Sequence, residues 1–388
     1  LEVRGAPAPM TISEPEKMSI ELRGGWAFER GQADSLAVSL STEDAVHLTG
    51  ELHRALWHTP EQLLQWSSVL PALDGLVRAF RAPVAPPTLL EFVRSTGFGQ
   101  LFVELTGRCN ERCVHCYASS SPEVESQLEL AEVLHVVDEG AELGFTTIQF
   151  TGGDPLLSPW LVPAVQRAQE RGFENIEIYT NGLALRPELA QALAQRGAQF
   201  AFSMYSHRAA VHDAITQTPD SWARTRRAIQ LAVDTGARVR VNAVLREENA
   251  TDLAALRTLL EEMGVPAGRI RADRERPVGR GQWDAQTQLD HSQPAEMHQA
   301  STGSGRRGKL AVTYDGNIVP CIFDRQLILG SLRQGQGLRA ALARPVRSFR
   351  RGFPFPQTPR SLLQVVGQPL GCGSCRARHS VLDGLEFA

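Results

Sequence analysis

From about residue 100 to residue 275, apolar positions fall into short strand-like runs that take turns with longer runs of helical spacing. Strands are predicted at Leu101–Leu105, Thr146–Phe150, Asn175–Tyr179, Gln199–Tyr205, Arg238–Val244 and Arg269–Ala272. Helices are predicted at Leu128–Leu143, Trp160–Arg171, Pro187–Arg196, Ser221–Val233 and Leu253–Met263, the first three stopped by Gly144, Gly172 and Gly197. Such alternation predicts an α/β fold with a parallel sheet under covering helices. Six units suit a partial (β/α)6 TIM-like barrel better than a closed eight-fold one. In α/β barrels chemistry sits on the loops that follow the strands. Every unusual loop here does so: a cysteine run after the first strand, Thr151-Gly-Gly-Asp-Pro155 after the second and Thr180-Asn-Gly182 after the third. A glycine at one strand end is explained by turn geometry alone; three such loops at one end outline an active-site rim.

The flanks divide the chain further. Residues 1–17 are Pro- and Ala-rich and are expected to be a poorly ordered tail. Residues 18–95 predict a small α+β module. Its short strands are expected at Ser19–Leu22, Trp26–Glu29 and Leu36–Ser39, and its amphipathic helices at Ala45–Leu56 and Pro60–Leu70. That order suits a winged-helix-like module or a packing cap on the barrel, with equal weight. Residues 96–275 form the barrel, and 276–308, rich in Gly, Gln and Ser, read as a linker. Residues 309–388 open with strands Lys309–Tyr314 and Asn317–Ile322 around Asp315-Gly316, a tight two-residue hairpin signal. A short helix is predicted at Leu338–Leu342.

Bulk properties narrow the function class. The 388 residues are 42% hydrophobic and 21% charged, with net charge −3. This is an ordinary globular composition that gives no reason to expect nucleic-acid binding. No apolar run approaches a membrane span, and the N-terminus lacks a signal-peptide layout, so a cytoplasmic location is expected. The six cysteines then belong to a reducing compartment, where metal or redox roles outweigh disulfides. No paired carboxylates, Ser–His–Asp set or P-loop speaks for hydrolysis or phosphoryl transfer.

Half of the cysteines lie in one run, Glu104-Leu-Thr-Gly-Arg-Cys109-Asn-Glu-Arg-Cys113-Val-His-Cys116-Tyr117, spaced C-x3-C-x2-C. Three thiolates on one loop can hold three irons of a cubane and leave the fourth open. A zinc knuckle completed by His115, or a disulfide with a spare thiol, is the plainer reading, but structural zinc more often uses two separated pairs. The run, Tyr117 included, resembles the signature of the radical S-adenosylmethionine (radical SAM) superfamily. The resemblance implies a [4Fe-4S] cluster whose free iron is chelated by the amino and carboxylate groups of SAM. It also implies a 5′-deoxyadenosyl radical that abstracts a hydrogen atom, and a flavodoxin- or ferredoxin-type electron donor. Gly152, Gly153 and Asp154 resemble the family's SAM-amino motif, with Asp in place of the commoner Glu. By the same resemblance Thr180 and Asn181 line the SAM pocket, and Ser203 and Arg224 match positions that hold the SAM carboxylate and ribose. Asn242 is placed to reach the ribose, and Arg271 either the SAM carboxylate or solvent.

Cys321, Cys372 and Cys375 make a second set. Asp315-Gly-Asn-Ile-Val-Pro-Cys321 resembles the opening of a SPASM or twitch extension, which carries auxiliary iron–sulfur clusters. Three cysteines allow one auxiliary cluster, expected to be [4Fe-4S], with His379, Asp383, water or substrate as the remaining ligand; a zinc site completed by His379 is the alternative. The expectation is a radical SAM maturase that oxidatively modifies, and crosslinks, side chains of a ribosomally made peptide whose leader docks on the N-terminal module. A small-metabolite dehydrogenase or decarboxylase and a non-catalytic zinc scaffold are the rivals.

Overall fold

A computed structural model describes residues 19–30, 34–39, 45–67, 72–85, 98–276, 278–281, 308–323, 325–343, 346–349 and 385–387. Its N-terminal part is a meander of β1 (Ser19–Arg23), β2 (Trp26–Arg30), β3 (Asp34–Ser39) and β4 (Ala45–Thr49). Strand β5 (Val84–Ala85) joins the far side of β1, giving the antiparallel order β4-β3-β2-β1-β5. Helix α1 (Gly50–His58), a 3₁₀ helix at Pro60–Trp66 and helix α2 (Ala72–Phe80) bury Leu56, Leu63, Leu76 and Phe80 against Trp26, Phe28, Val46 and Leu48. Phe28 and Phe80 meet edge to face at 5.2 Å.

Two expectations change here. The helix expected over Ala45–Leu56 is a strand, β4, followed by α1. Val46 and Leu48 are two apart and buried, the period of a strand, and they pair with Ala37 and Ser35 of β3. The helix then begins at Gly50, whose φ of +55° suits a residue without Cβ. The helix expected over Pro60–Leu70 is the shorter 3₁₀ segment, and α2 was not anticipated. Leu22 and Ala27 share the buried apolar cluster of the barrel, so the N-terminal sheet has packing contact with that core as well as its own.

The barrel follows the expected alternation. Strands β6 (Phe98–Thr106), β7 (Thr147–Gly152), β8 (Asn175–Thr180), β9 (Ala198–Ser203), β10 (Val239–Leu245) and β11 (Ile270–Arg274) are parallel and adjacent in order. The helices between them are α3 (Leu130–Leu143), α4 (Leu161–Glu170), α5 (Pro187–Gln195), α6 (Ala209–Thr216), α7 (Ser221–Asp234) and α8 (Leu253–Glu262). Helix α6 was not anticipated. Strand β12 (Gly308–Val312) extends the sheet parallel to β6, and β13 (Asn317–Val319) and β14 (Gly330–Ser331) follow antiparallel. Helix α9 (Leu338–Leu342) lies where expected; its first N–H groups at Leu338 and Arg339 donate to the Glu139 carboxylate on α3, at 2.6 and 3.0 Å. A small hairpin of β15 (Val346–Phe349) and β16 (Leu385–Phe387) completes the described chain. Among the described residues no helix is long and apolar enough to cross a membrane.

Each barrel strand sorts its side chains by chemistry. Ile148, Phe150, Ile176, Ile178, Phe200, Phe202, Val239 and Val241 are buried in the apolar core with residues of the covering helices. Their alternate neighbours, among them Gln149, Glu177, Gln199 and Arg240, line an interior cavity. A closed α/β barrel fills its centre with branched apolar side chains; polar inward positions keep this one open. The hairpin at Asp315-Gly316 also differs from expectation. Thr313 N–H donates to Asn317 O at 2.9 Å, closing a loop of three residues, Tyr314 to Gly316, with Gly316 at φ +85°. A three-residue hairpin ending in a left-handed glycine is the next commonest solution after the two-residue turn.

Candidate functional site

The cavity of about 720 Å³ runs along the strands, from Thr147 and Asn175 at their N-terminal ends to the loops at their C-terminal ends. Cys109, Cys113 and Cys116 line it, on the loop that leaves β6. Backbone hydrogen bonds hold that loop from several sides. Cys109 N–H donates to Ser121 O at 3.1 Å, and Arg112 and Val114 N–H donate to Thr216 and Ile215 O at the end of α6, both at 3.0 Å. Residues 278–281, expected to belong to a linker, also pack on it. Arg280 donates from its backbone N–H to Cys116 O at 2.9 Å, from Nε to Cys113 O at 2.9 Å and from Nη2 to Ser120 O at 2.8 Å. A Cβ on Gly279 would come within 2.3 Å of Cys116 O, so only glycine permits this approach.

The glycine pair of the next loop serves the same loop. A Cβ on Gly152 would lie 2.4 Å from Thr106 O, and one on Gly153 would lie 2.1 Å from Arg108 O. Gly153 N–H donates to Thr106 O at 2.6 Å and Asp154 N–H to Arg108 O at 2.9 Å. Asp154 is fully buried and does not line the cavity. Its carboxylate accepts from Leu156 N–H at 2.9 Å, Thr180 Oγ1 at 2.7 Å and Asn181 N–H at 3.0 Å. It therefore locks the second rim loop to the third. Burial pushes its pKa up to about 6, against the hydrogen bonds that favour the carboxylate.

Tyr117, Gly152, Gly153, Thr180, Asn181, Ser203 and Asn242 all reach the cavity wall. Asn181 Nδ2 donates to Asn110 Oδ1 at 2.7 Å and approaches Cys109 Sγ at 3.7 Å. Asn242 Oδ1 is buried with no hydrogen-bond partner among the described residues. Arg224 does not line the cavity; its Nη2 donates to Leu183 O at 3.2 Å, behind the rim. Cys321 is buried with Phe102, Val319 and Ile322, and Tyr117 and Phe323 pack on that cluster, their rings 5.4 Å apart. Cys372, Cys375, His379 and Asp383 lie outside the described residues.

Several residues with no motif also belong to the site. Glu111, between two of the cysteines, has one carboxylate oxygen buried and unpartnered, while the other accepts from Cys113 Sγ at 3.3 Å. Burial pushes its pKa up to about 7. Burial, then the Asp154 charge, holds the Cys109 thiol well above its ordinary range, and burial with the Glu111 charge does the same to Cys113. Thiolates at these positions need a cationic partner, which a polynuclear iron centre provides. Among the described residues no three His, Cys, Asp or Glu side chains converge closely enough to hold a single metal ion.

The family model for the radical SAM superfamily matches residues 103–260. Residues 103–260 are therefore a radical SAM domain. Such a domain implies a [4Fe-4S] cluster and SAM, and the three rim thiols with the open wall beside them fit both. The chain is 28% identical over 166 residues to an AdoMet-dependent heme synthase of Methanosarcina barkeri, covering 42% of this chain and 47% of the relative. It is 31% identical over 182 residues to the mycofactocin maturase MftC of Mycobacterium tuberculosis, covering 46% of this chain and 45% of the relative. The matched stretch thus spans less than half the length of either relative. SuiB of Streptococcus suis, solved with its precursor peptide SuiA, has the same fold. Its TM-score is 0.51 at 13% identity, over 84% of this chain and 88% of that one.

Two outcomes follow for the radical SAM domain. Gly153→Ala is expected to cost about 1–3 kcal/mol as the new Cβ forces the cysteine loop away. Chemical unfolding and iron content after anaerobic reconstitution measure it, and a variant that equals the parent in both contradicts it. The second concerns His212 on α6. It is fully buried and its Nδ1 accepts from Tyr205 N–H at 3.2 Å; burial pulls its pKa down to about 4 from 6.5. Because the unfolded chain takes up this proton first, the stability tied to neutral His212 is whole above about pH 6.5 and is lost as pH falls towards 4. The loss is on the order of 3 kcal/mol. His212→Asn, which keeps an acceptor for Tyr205, should flatten the fall in stability between those pH values.

Proposed function

We propose that this radical SAM enzyme modifies side chains of a ribosomally made peptide by oxidation, forming a crosslink. Cys109, Cys113 and Cys116 hold the SAM-binding [4Fe-4S] cluster. Tyr117, Gly152, Gly153, Thr180, Asn181, Ser203 and Asn242 form the wall that positions SAM, with Asp154 and Arg224 bracing it from behind. When bound, the cluster and SAM together supply a 5′-deoxyadenosyl radical that removes a hydrogen atom from the substrate. The chain's own part is to orient the substrate C–H bond beside that position and to exclude stray hydrogen donors. The single observation that carries this reading is the set of three rim thiols facing a cavity of about 720 Å³, large enough for SAM and a substrate side chain together.

Three features favour a peptide. The N-terminal sheet ends in β4, whose outer edge has no strand partner among the described residues. Such an edge can take an extended leader segment as an added strand. MftC is named a maturase, and the SuiB fold has been seen with a precursor peptide. Cys321, packed near Tyr117, with Cys372 and Cys375 is proposed to hold one auxiliary iron–sulfur cluster, whose capacity to accept an electron suits a net oxidation. A flavodoxin- or ferredoxin-type donor and a cytoplasmic setting complete the proposal. The second reading, a small metabolite in place of a peptide, is favoured by the relative named a heme synthase.

Deleting residues 1–95 tests leader docking. The truncated protein should still cleave SAM to 5′-deoxyadenosine under anaerobic reduction but fail to modify a full-length precursor, while Cys113→Ala should lose both. Unimpaired processing by the truncated protein contradicts leader recognition by the N-terminal sheet.

A further inference from the structure

Past β11 the chain turns back over the cysteine loop. Val278 N–H donates to Arg276 O at 2.8 Å and Gly281 N–H to Val278 O at 3.1 Å, so this stretch folds into a tight turn. Arg276 fixes one end of it, its guanidinium 4.0 Å from the centre of the Phe323 ring. Gly279 and Arg280 fix the other against the backbone of Cys113, Cys116 and Ser120. Two of the three carbonyls that Arg280 satisfies belong to cysteines of the C-x3-C-x2-C run.

The charge that Arg280 brings is not offset nearby. Both hydrogen bonds of its guanidinium go to neutral carbonyls, and among the described residues no carboxylate pairs with it. The other arginines around the loop differ. Arg112 pairs with Glu123, and Arg246 pairs with Glu248 and Glu275. Arg108 has no such pair but is exposed, where water and salt screen it. Arg280 is half-buried. Glu111 and Asp154, buried beside the same loop, carry the opposite sign when ionised.

Local charge and hydrogen bonding set the potential of an iron–sulfur cluster. One-electron reduction of a [4Fe-4S] cluster adds one negative charge and makes or breaks no bond. A fixed positive charge outside bulk water stabilises the more negative form, and buried carboxylates oppose it. The fork of a guanidinium also holds two carbonyls at once, which keeps that charge at a constant distance from the loop.

We infer that Arg280 is a positioning residue that makes the cluster easier to reduce, by pinning the cysteine loop and holding an uncompensated positive charge against it. This rests on the reading that Cys109, Cys113 and Cys116 hold the cluster.

An EPR-monitored titration of the anaerobically reconstituted holoenzyme with dithionite tests it. The signal of the proposed auxiliary cluster is recorded alone in a Cys109→Ala/Cys113→Ala/Cys116→Ala variant and subtracted. At the midpoint potential of the parent, Arg280→Gln should lower the ratio of reduced to oxidised cluster about tenfold, a shift of about 59 mV to more negative potential. Arg280→Lys keeps the charge but lacks the fork, and should stay much closer to the parent. Only iron-loaded protein gives the signal, so a variant that takes up less iron is still read. An Arg280→Gln potential equal to that of the parent overturns the inference and leaves the cluster reading standing. So does an equal shift in Arg280→Lys, since Arg280 would then act only by holding the loop. A parent that takes up no reducible cluster overturns the cluster reading and the inference with it.

Discussion

The end of β7 rests directly on the backbone of the cysteine loop. Gly152 and Gly153 leave no side chain between them, and Gly153 and Asp154 donate to carbonyl oxygens of Thr106 and Arg108. This contact sets the height of three thiols above the sheet and brings the second and third rim loops to the same level through the Asp154 carboxylate. The resemblance to the SAM-amino motif places these glycines beside a ligand. Their geometry gives them a prior task, a protein-on-protein approach too close for any Cβ. Both tasks demand the same residue, because a backbone free of side chain can offer one face to the loop and the other to the cavity.

The second constraint is the inward polarity of the sheet. Gln149, Glu177 and Arg240 form a connected floor in which the Glu177 carboxylate accepts from both partners. These three groups satisfy one another laterally within the wall, so the floor carries no unpaired buried charge. The apolar faces of the same strands supply the core against the helices. Stability and function are thus divided by strand face: the outer face holds the barrel together and the inner face is free to bind.

Much of the fold was legible because strand and helix periods are local. The six barrel strands, five of their helices and α9 followed from spacing and glycine stops. Errors occurred where the local signal was short. Val46 and Leu48 carry a two-residue period over only a few positions, easily absorbed into the helix that follows. Helix α6 is eight residues long, yet His212, Ile215 and Thr216 mark its buried side at helical spacing. The cysteine loop was legible from spacing, whereas its supports were not. Arg280 binds residues about 160 positions earlier, and no pattern in a Gly-rich segment announces a contact so distant in sequence. The polar interior did leave a trace, since Gln149, Glu177 and Arg240 interrupt apolar strands at inward positions where a packed barrel would carry Val, Ile or Leu.

Mössbauer spectroscopy of anaerobically reconstituted, isotopically enriched protein reads the central claim most directly. If three thiols leave one iron of the cluster open to SAM, adding SAM shifts the parameters of a single iron per chain and leaves its three companions unchanged. A spectrum indifferent to SAM, or protein that retains zinc and no iron, contradicts the account.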